Sequence, residues 1–182
     1  MTTPSIVTVV EGSAPAEWMR MSLLSMPVVE AIHVLTAAVV FGTILIVDLR
    51  LLGFPNTRRS ITRIEHELLR YTWGAFIISV VTGILMFVAN ATTYYGNTAF
   101  RLKMLALLLA GVNMAVFELV TKRGVASWDK DVTPARAARF AGAASIVIWT
   151  AVIFIARWIA WTKGYSAGES IPENINFDFS TP

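Results

Sequence analysis

Glu30 and His33 stand three residues apart in an otherwise apolar stretch, so a helix would bring both onto one face. Ionisable groups inside apolar spans are costly to keep and are candidates for function by default. A neutral imidazole offers a ring nitrogen to a haem iron. Lys103, Arg101 and Arg157 lie near the edges of later apolar blocks. Such cations suit haem propionates or the headgroup of a quinone, through charge-assisted hydrogen bonds. Met86, Met104 or a neutral Lys103 could supply a second axial ligand opposite His33, or the position could be empty. The residues therefore outline a cofactor layer of His33, Met86, Lys103, Met104, Arg101 and Arg157, with His33 as metal ligand and Glu30 beside it. Two alternatives use the same layer. One is a pocket for a quinone or another small ligand. The other is a structural network in which His33 bonds Glu30 or a neighbouring helix and only packs the bundle.

Other chemistries fit less well. The chain has no cysteine, which excludes disulfides, thiolate metal sites and iron–sulfur clusters. Glu30-Ala-Ile-His33 is a single Glu-x-x-His pair, whereas a carboxylate-bridged di-metal site needs two such pairs and two further glutamates. His66, between Glu65 and Glu67, reads as the solvated start of a helix. The helical rise from His33 to Asp48 alone is ~22 Å, so the two histidines cannot ligate one iron within a protomer. Asn113 reads as an interhelical hydrogen bonder. The sequence shows no nucleophile triad, phosphate loop or dinucleotide fingerprint.

The elements that carry these residues are four apolar blocks, at about 27–47, 71–89, 102–121 and 140–162. Each is about 20 residues, enough to span ~30 Å of hydrocarbon as a helix. Composition agrees: 55% of residues are hydrophobic and 15% charged, against roughly a quarter charged in globular chains. Mean hydropathy is +0.63. Arg50, Arg58, Arg59, Arg63 and Arg70 lie between the first two blocks, and Lys122, Arg123, Lys130, Arg136 and Arg139 between the last two. The positive-inside rule puts both connections in the cytoplasm and both termini outside. Tyr71, Trp73, Tyr94, Tyr95, Trp158 and Trp161 mark the interfaces.

The expected fold is all-α, an integral membrane four-helix up-down bundle, N-out and C-out. It has an N-terminal tail and short interfacial helix (1–26, the helix itself from Ala16 to Met26), a four-helix transmembrane domain (27–163) and a polar extramembrane C-terminal tail (164–182). Small residues at Ala38, Gly42, Gly74, Gly83, Ala106, Ala110, Gly111, Gly142 and Ala143 are expected at helix contacts. A polar tail of this composition would be disordered alone and ordered on another protein, which points to other membrane subunits as partners. The N-terminus lacks the basic residue and the h-region length of a signal peptide.

Four phrases carry a resemblance: Pro27 to Leu35 with Glu30 and His33, Phe41 to Gly53 with Asp48-Leu-Arg50, Ala99 to Lys103 with Arg101-Leu-Lys103, and Trp149 with Ala156-Arg157-Trp158. Over about residues 17–163 the chain resembles a family of uncharacterised bacterial four-helix membrane proteins, a domain of unknown function. It is more distantly similar to HemJ-type protoporphyrinogen oxidases and to copper-resistance D membrane proteins, through His33, Gly42, Arg50 and Lys103. The tryptophan usual after their first histidine and a proline of their second helix are missing. The likeness implies a haem b binder in the bacterial inner membrane, without carrying over oxidase activity. The leading expectation is a small subunit that binds haem b near the outer face and serves electron transfer within a larger complex. A cofactor-free accessory subunit and a membrane enzyme or quinone-binding protein acting on a lipid-soluble substrate are the alternatives.

Overall fold

The computed structural model describes residues 4–54, 61–117, 119 and 136–165, with the backbone alone at 61–66, 69 and 163–165. Seven helices occupy these residues: α1 (Ser5–Glu11), α2 (Ala14–Met21), α3 (Ser25–Leu51), α4 (Ile61–Ala89), α5 (Ala91–Gly96), α6 (Thr98–Val116) and α7 (Arg136–Tyr165). Among the described residues there is no strand. Four stretches are long and apolar enough to cross a membrane: Ser25–Leu51, Arg70–Ala89, Thr98–Val116 and Arg136–Thr162. They contain most of the four apolar blocks of the sequence, and the chain has the character of a multi-pass membrane protein. The polar tail expected at 164–182 lies, beyond Tyr165, outside the described residues, as do most residues of the second basic connection.

The long helices are inside out relative to a soluble bundle. Large apolar side chains such as Leu35, Leu108, Val147 and Phe154 point outward, while Ala75, Thr82, Ala106, Ala110, Ala138 and Ser145 are buried. In water, each exposed leucine or phenylalanine would forgo roughly 1.5–3 kcal/mol of burial. In hydrocarbon that cost vanishes, and small inward residues let the helix backbones approach.

The inward residues recur at alternating steps of three and four. On α4 they are Thr72, Ala75, Ser79, Thr82, Met86 and Ala89; on α6 they are Ala99, Lys103, Ala106, Ala110 and Asn113, followed by Phe117 at its C-cap. A seven-residue repeat of this kind gives nearly aligned helices crossing at about 20°. Helix α3 packs against both α4 and α7, and α6 packs against α7. The start of α3 meets the end of α4, where Val29 and Ala89 cluster with Met19. The end of α3 meets the start of α7, where Leu51, Phe117, Ala138 and Ala141 form a second cluster.

The short helices cap the first of these ends. Arg20 of α2 donates to the Ala89 carbonyl at the end of α4 (2.9 Å) and to the Glu11 carbonyl (2.9 Å). A cation suits the negative end of a helix. The Glu11 carboxylate accepts from the backbone N–H (2.8 Å) and hydroxyl (2.6 Å) of Thr92 in α5. Asn97 caps α6 by accepting from the Phe100 N–H (3.2 Å), and its amide donates to Thr162 of α7 (2.9 Å). Phe87 stacks on Phe100 with 5.5 Å between ring centroids, and Tyr94 packs against the same ring.

Two local expectations change, and one connection holds an extra helix. The interfacial helix ends at Met21, before the first span restarts at Ser25, and a further helix, α1, precedes it. The uncharged connection at 90–100 contains α5. Of the glycines expected at helix contacts, Gly83 and Gly142 are there, but a Cβ at Gly42, Gly74 or Gly111 would meet nothing within 4 Å. Those three stand off the seven-residue seam, as do the exposed Ala38 and Ala143.

Candidate functional site

The His33 ring is fixed by α4. Its Nδ1 lies 2.9 Å from the Ser79 carbonyl oxygen and 3.0 Å from the Thr82 hydroxyl. A carbonyl can only accept, so Nδ1 carries the hydrogen. The Thr82 hydroxyl directs its own hydrogen at the carbonyls of Ile78 (2.8 Å) and Ser79 (3.1 Å), and therefore accepts from the ring as well. In the neutral ring this fixes the tautomer and leaves the Nε2 lone pair for another group. Gly83 makes the approach possible: a Cβ there would stand 3.2 Å from His33 Cε1 and 3.6 Å from Nδ1.

The expected polar layer is partly assembled around this ring. The charged groups near enough for their fields to reach it are Lys103 and Glu30. Lys103 is half-buried on the inward seam of α6, flanked by Ala99 and Ala106, whereas Glu30 is exposed. Arg157 is exposed on α7 and is not among the charges that act on the ring. Arg101 is exposed near the capped end and donates twice to the Tyr95 carbonyl, at 3.1 and 3.0 Å. Its guanidinium also lies over the Tyr95 ring, 5.6 Å from the centroid.

The methionines divide. Met86 is one turn beyond Thr82 on the inward face of α4 and packs with Met19, Val29 and Ala89. Met104 is on the exposed side of α6. His66 belongs to the first turns of α4, 13 residues before Ser79, which is ~20 Å along a helix. The expected separation of the two histidines therefore has a direct counterpart in α4. Asn113 donates to the Ala141 carbonyl at 3.1 Å, an interhelical bond of the expected kind.

The arrangement presents one imidazole nitrogen, oriented from behind and set between helices, with a lysine and a carboxylate near it. Among the described residues no group of three or more His, Cys, Asp or Glu could hold a bare metal ion. A single imidazole fits a prefabricated metal complex better than a free ion. Sequence reasoning found His33 but not its holders. Ser79 acts through its main chain, and Thr82 resembles any other hydroxyl of an apolar helix.

No curated protein and no solved structure matches the chain significantly. A family model does match, over residues 16–162, from the third residue of α2 to the end of the last span. The matched region holds His33, its partners on α4, Lys103 and Arg157, and the chain belongs to that family, the family of unknown function DUF6644.

Proposed function

We propose that this protein is a small membrane subunit that binds haem b through His33 and passes electrons within a larger membrane complex. One observation carries the reading: Nδ1–H is held by a backbone carbonyl and a hydroxyl, which aims the free nitrogen of the ring elsewhere. Histidines that ligate metals are commonly held in this way by their other nitrogen. The residues present fit the group. Nε2 would ligate the iron, and half-buried Lys103 and exposed Arg157 would suit propionates through charge-assisted hydrogen bonds. Arg101 would join them near the capped end. When bound, haem supplies a one-electron couple. The chain's own contribution is to orient the ring, limit water and balance the propionate charge.

In this reading the bundle runs up and down through the bacterial inner membrane with both termini periplasmic. The capped end faces outward, and the arginine- and lysine-rich connections support that orientation. The distant likeness to HemJ-type proteins points to the same cofactor. The contrasting reading, a cofactor-free accessory subunit, treats the His33 bonds as an interhelical cross-link worth roughly 0.6–2 kcal/mol. Haem content of purified His33→Ala and His66→Ala proteins separates the two. Loss of haem in the first variant alone supports the proposal. Equal haem content in both would sink it.

A further inference from the structure

The far end of α3 holds a second ionisable group that the His33 site does not use. Asp48 is only 5% exposed, in a stretch apolar enough to cross a membrane. The Ser145 hydroxyl of α7 donates to its carboxyl. The other oxygen, Oδ2, is fully buried and has no hydrogen-bond partner among the described residues. Gly142 closes the site from α7, where a Cβ would come within 3.0 Å of the Asp48 carbonyl oxygen and of Leu51 Cβ. Ser145 is itself 7% exposed.

An ionised carboxylate with one oxygen unsatisfied is expensive to bury, and some neutralising species must reach it. Arg50, two residues on and roughly 200° around α3, is buried as well, but it makes no hydrogen bond to Oδ2. Arg136 and Arg139 of α7, and Glu67 and Arg70 of α4, are exposed. A metal cation would ask for several more oxygen ligands, whereas the carbonyls of α3 and α7 are engaged in their own helices. A proton needs one oxygen, and one is open.

We propose that Asp48 is a proton-binding site, whose carboxyl takes up and releases a single proton on Oδ2 at the end of the bundle away from the cap. The site stands ~22 Å along α3 from His33 and is independent of the haem reading. An infrared difference spectrum between two pH values, recorded on full-length protein in lipid vesicles, tests it. The C=O band of a protonated carboxylic acid is expected, with a downshift in D2O. It should vanish in Asp48→Asn and move in Ser145→Ala, with helix content checked by circular dichroism. Should Asp48→Asn not fold, the Ser145→Ala shift decides, and an unmoved band overturns the proposal. So does a band missing from the native protein, one retained in Asp48→Asn, or one that disappears when sodium replaces choline at fixed pH.

Discussion

His33 shows how a single side chain is oriented between apolar helices. One nitrogen must be satisfied from behind, and here a main-chain carbonyl and a hydroxyl do so. Thr82→Val removes the hydroxyl but keeps the shape, and haem affinity should fall about tenfold, as for other groups that orient a metal ligand. A haem titration of the apoprotein measures this. Gly83→Ala tests the approach. Its added Cβ at 3.2 Å from Cε1 forces the ring to shift by a few tenths of an ångström, and haem should bind more weakly while the helices still assemble. His33 was legible in the sequence because a histidine stands out in an apolar run. The Ser79 carbonyl was not legible, because every residue has one and only the packing of α3 on α4 selects it.

The elements divide by the same logic. Long apolar runs read as helices because hydrocarbon leaves the backbone no other way to satisfy its bonds. Short α1 and α5 carry no such signal and form where the cap folds over the ends of α3 and α4. The contact glycines were only half legible, since composition does not say which side of a helix meets a neighbour. Gly142→Val tests the distinction. Its side chain would press on the backbone of α3 and should destabilise the protein by roughly 1–3 kcal/mol, whereas Gly42→Val, with open space around it, should change stability by less than about 0.5 kcal/mol. Unfolding in mixed detergent compares the two.

The cap also has a pH dependence. The Thr92 hydroxyl and N–H, helped by Arg20 and opposed by partial burial, hold the Glu11 carboxyl below its ordinary value of 4.5. Its folded pKa is therefore depressed. The stabilisation is fully present above that ordinary, unfolded value and is lost as pH falls through the folded one. The N-terminal arm should stay docked at neutral pH and loosen in acid, as pH falls through that depressed value. Glu11→Gln should remove that transition, as followed by proteolysis of the arm.

For the whole molecule, the distribution of lysine and arginine argues for the proposed topology, and the absence of cysteine makes it easy to check. A single cysteine at Ser5 should react with an impermeant maleimide from outside intact cells, and one at Thr57 only after the membrane is opened. The reverse pattern would invert the bundle and put the His33 layer on the cytoplasmic side. The proposed cofactor has the weakest trace in the sequence, because one histidine and a few cations serve a haem and a structural network equally well. The reduced-minus-oxidised absorption spectrum of the purified native protein, expressed with ample haem, separates them most directly. A Soret band with sharp reduced α and β bands is the expected result, and a spectrum without features in the visible would contradict the haem reading.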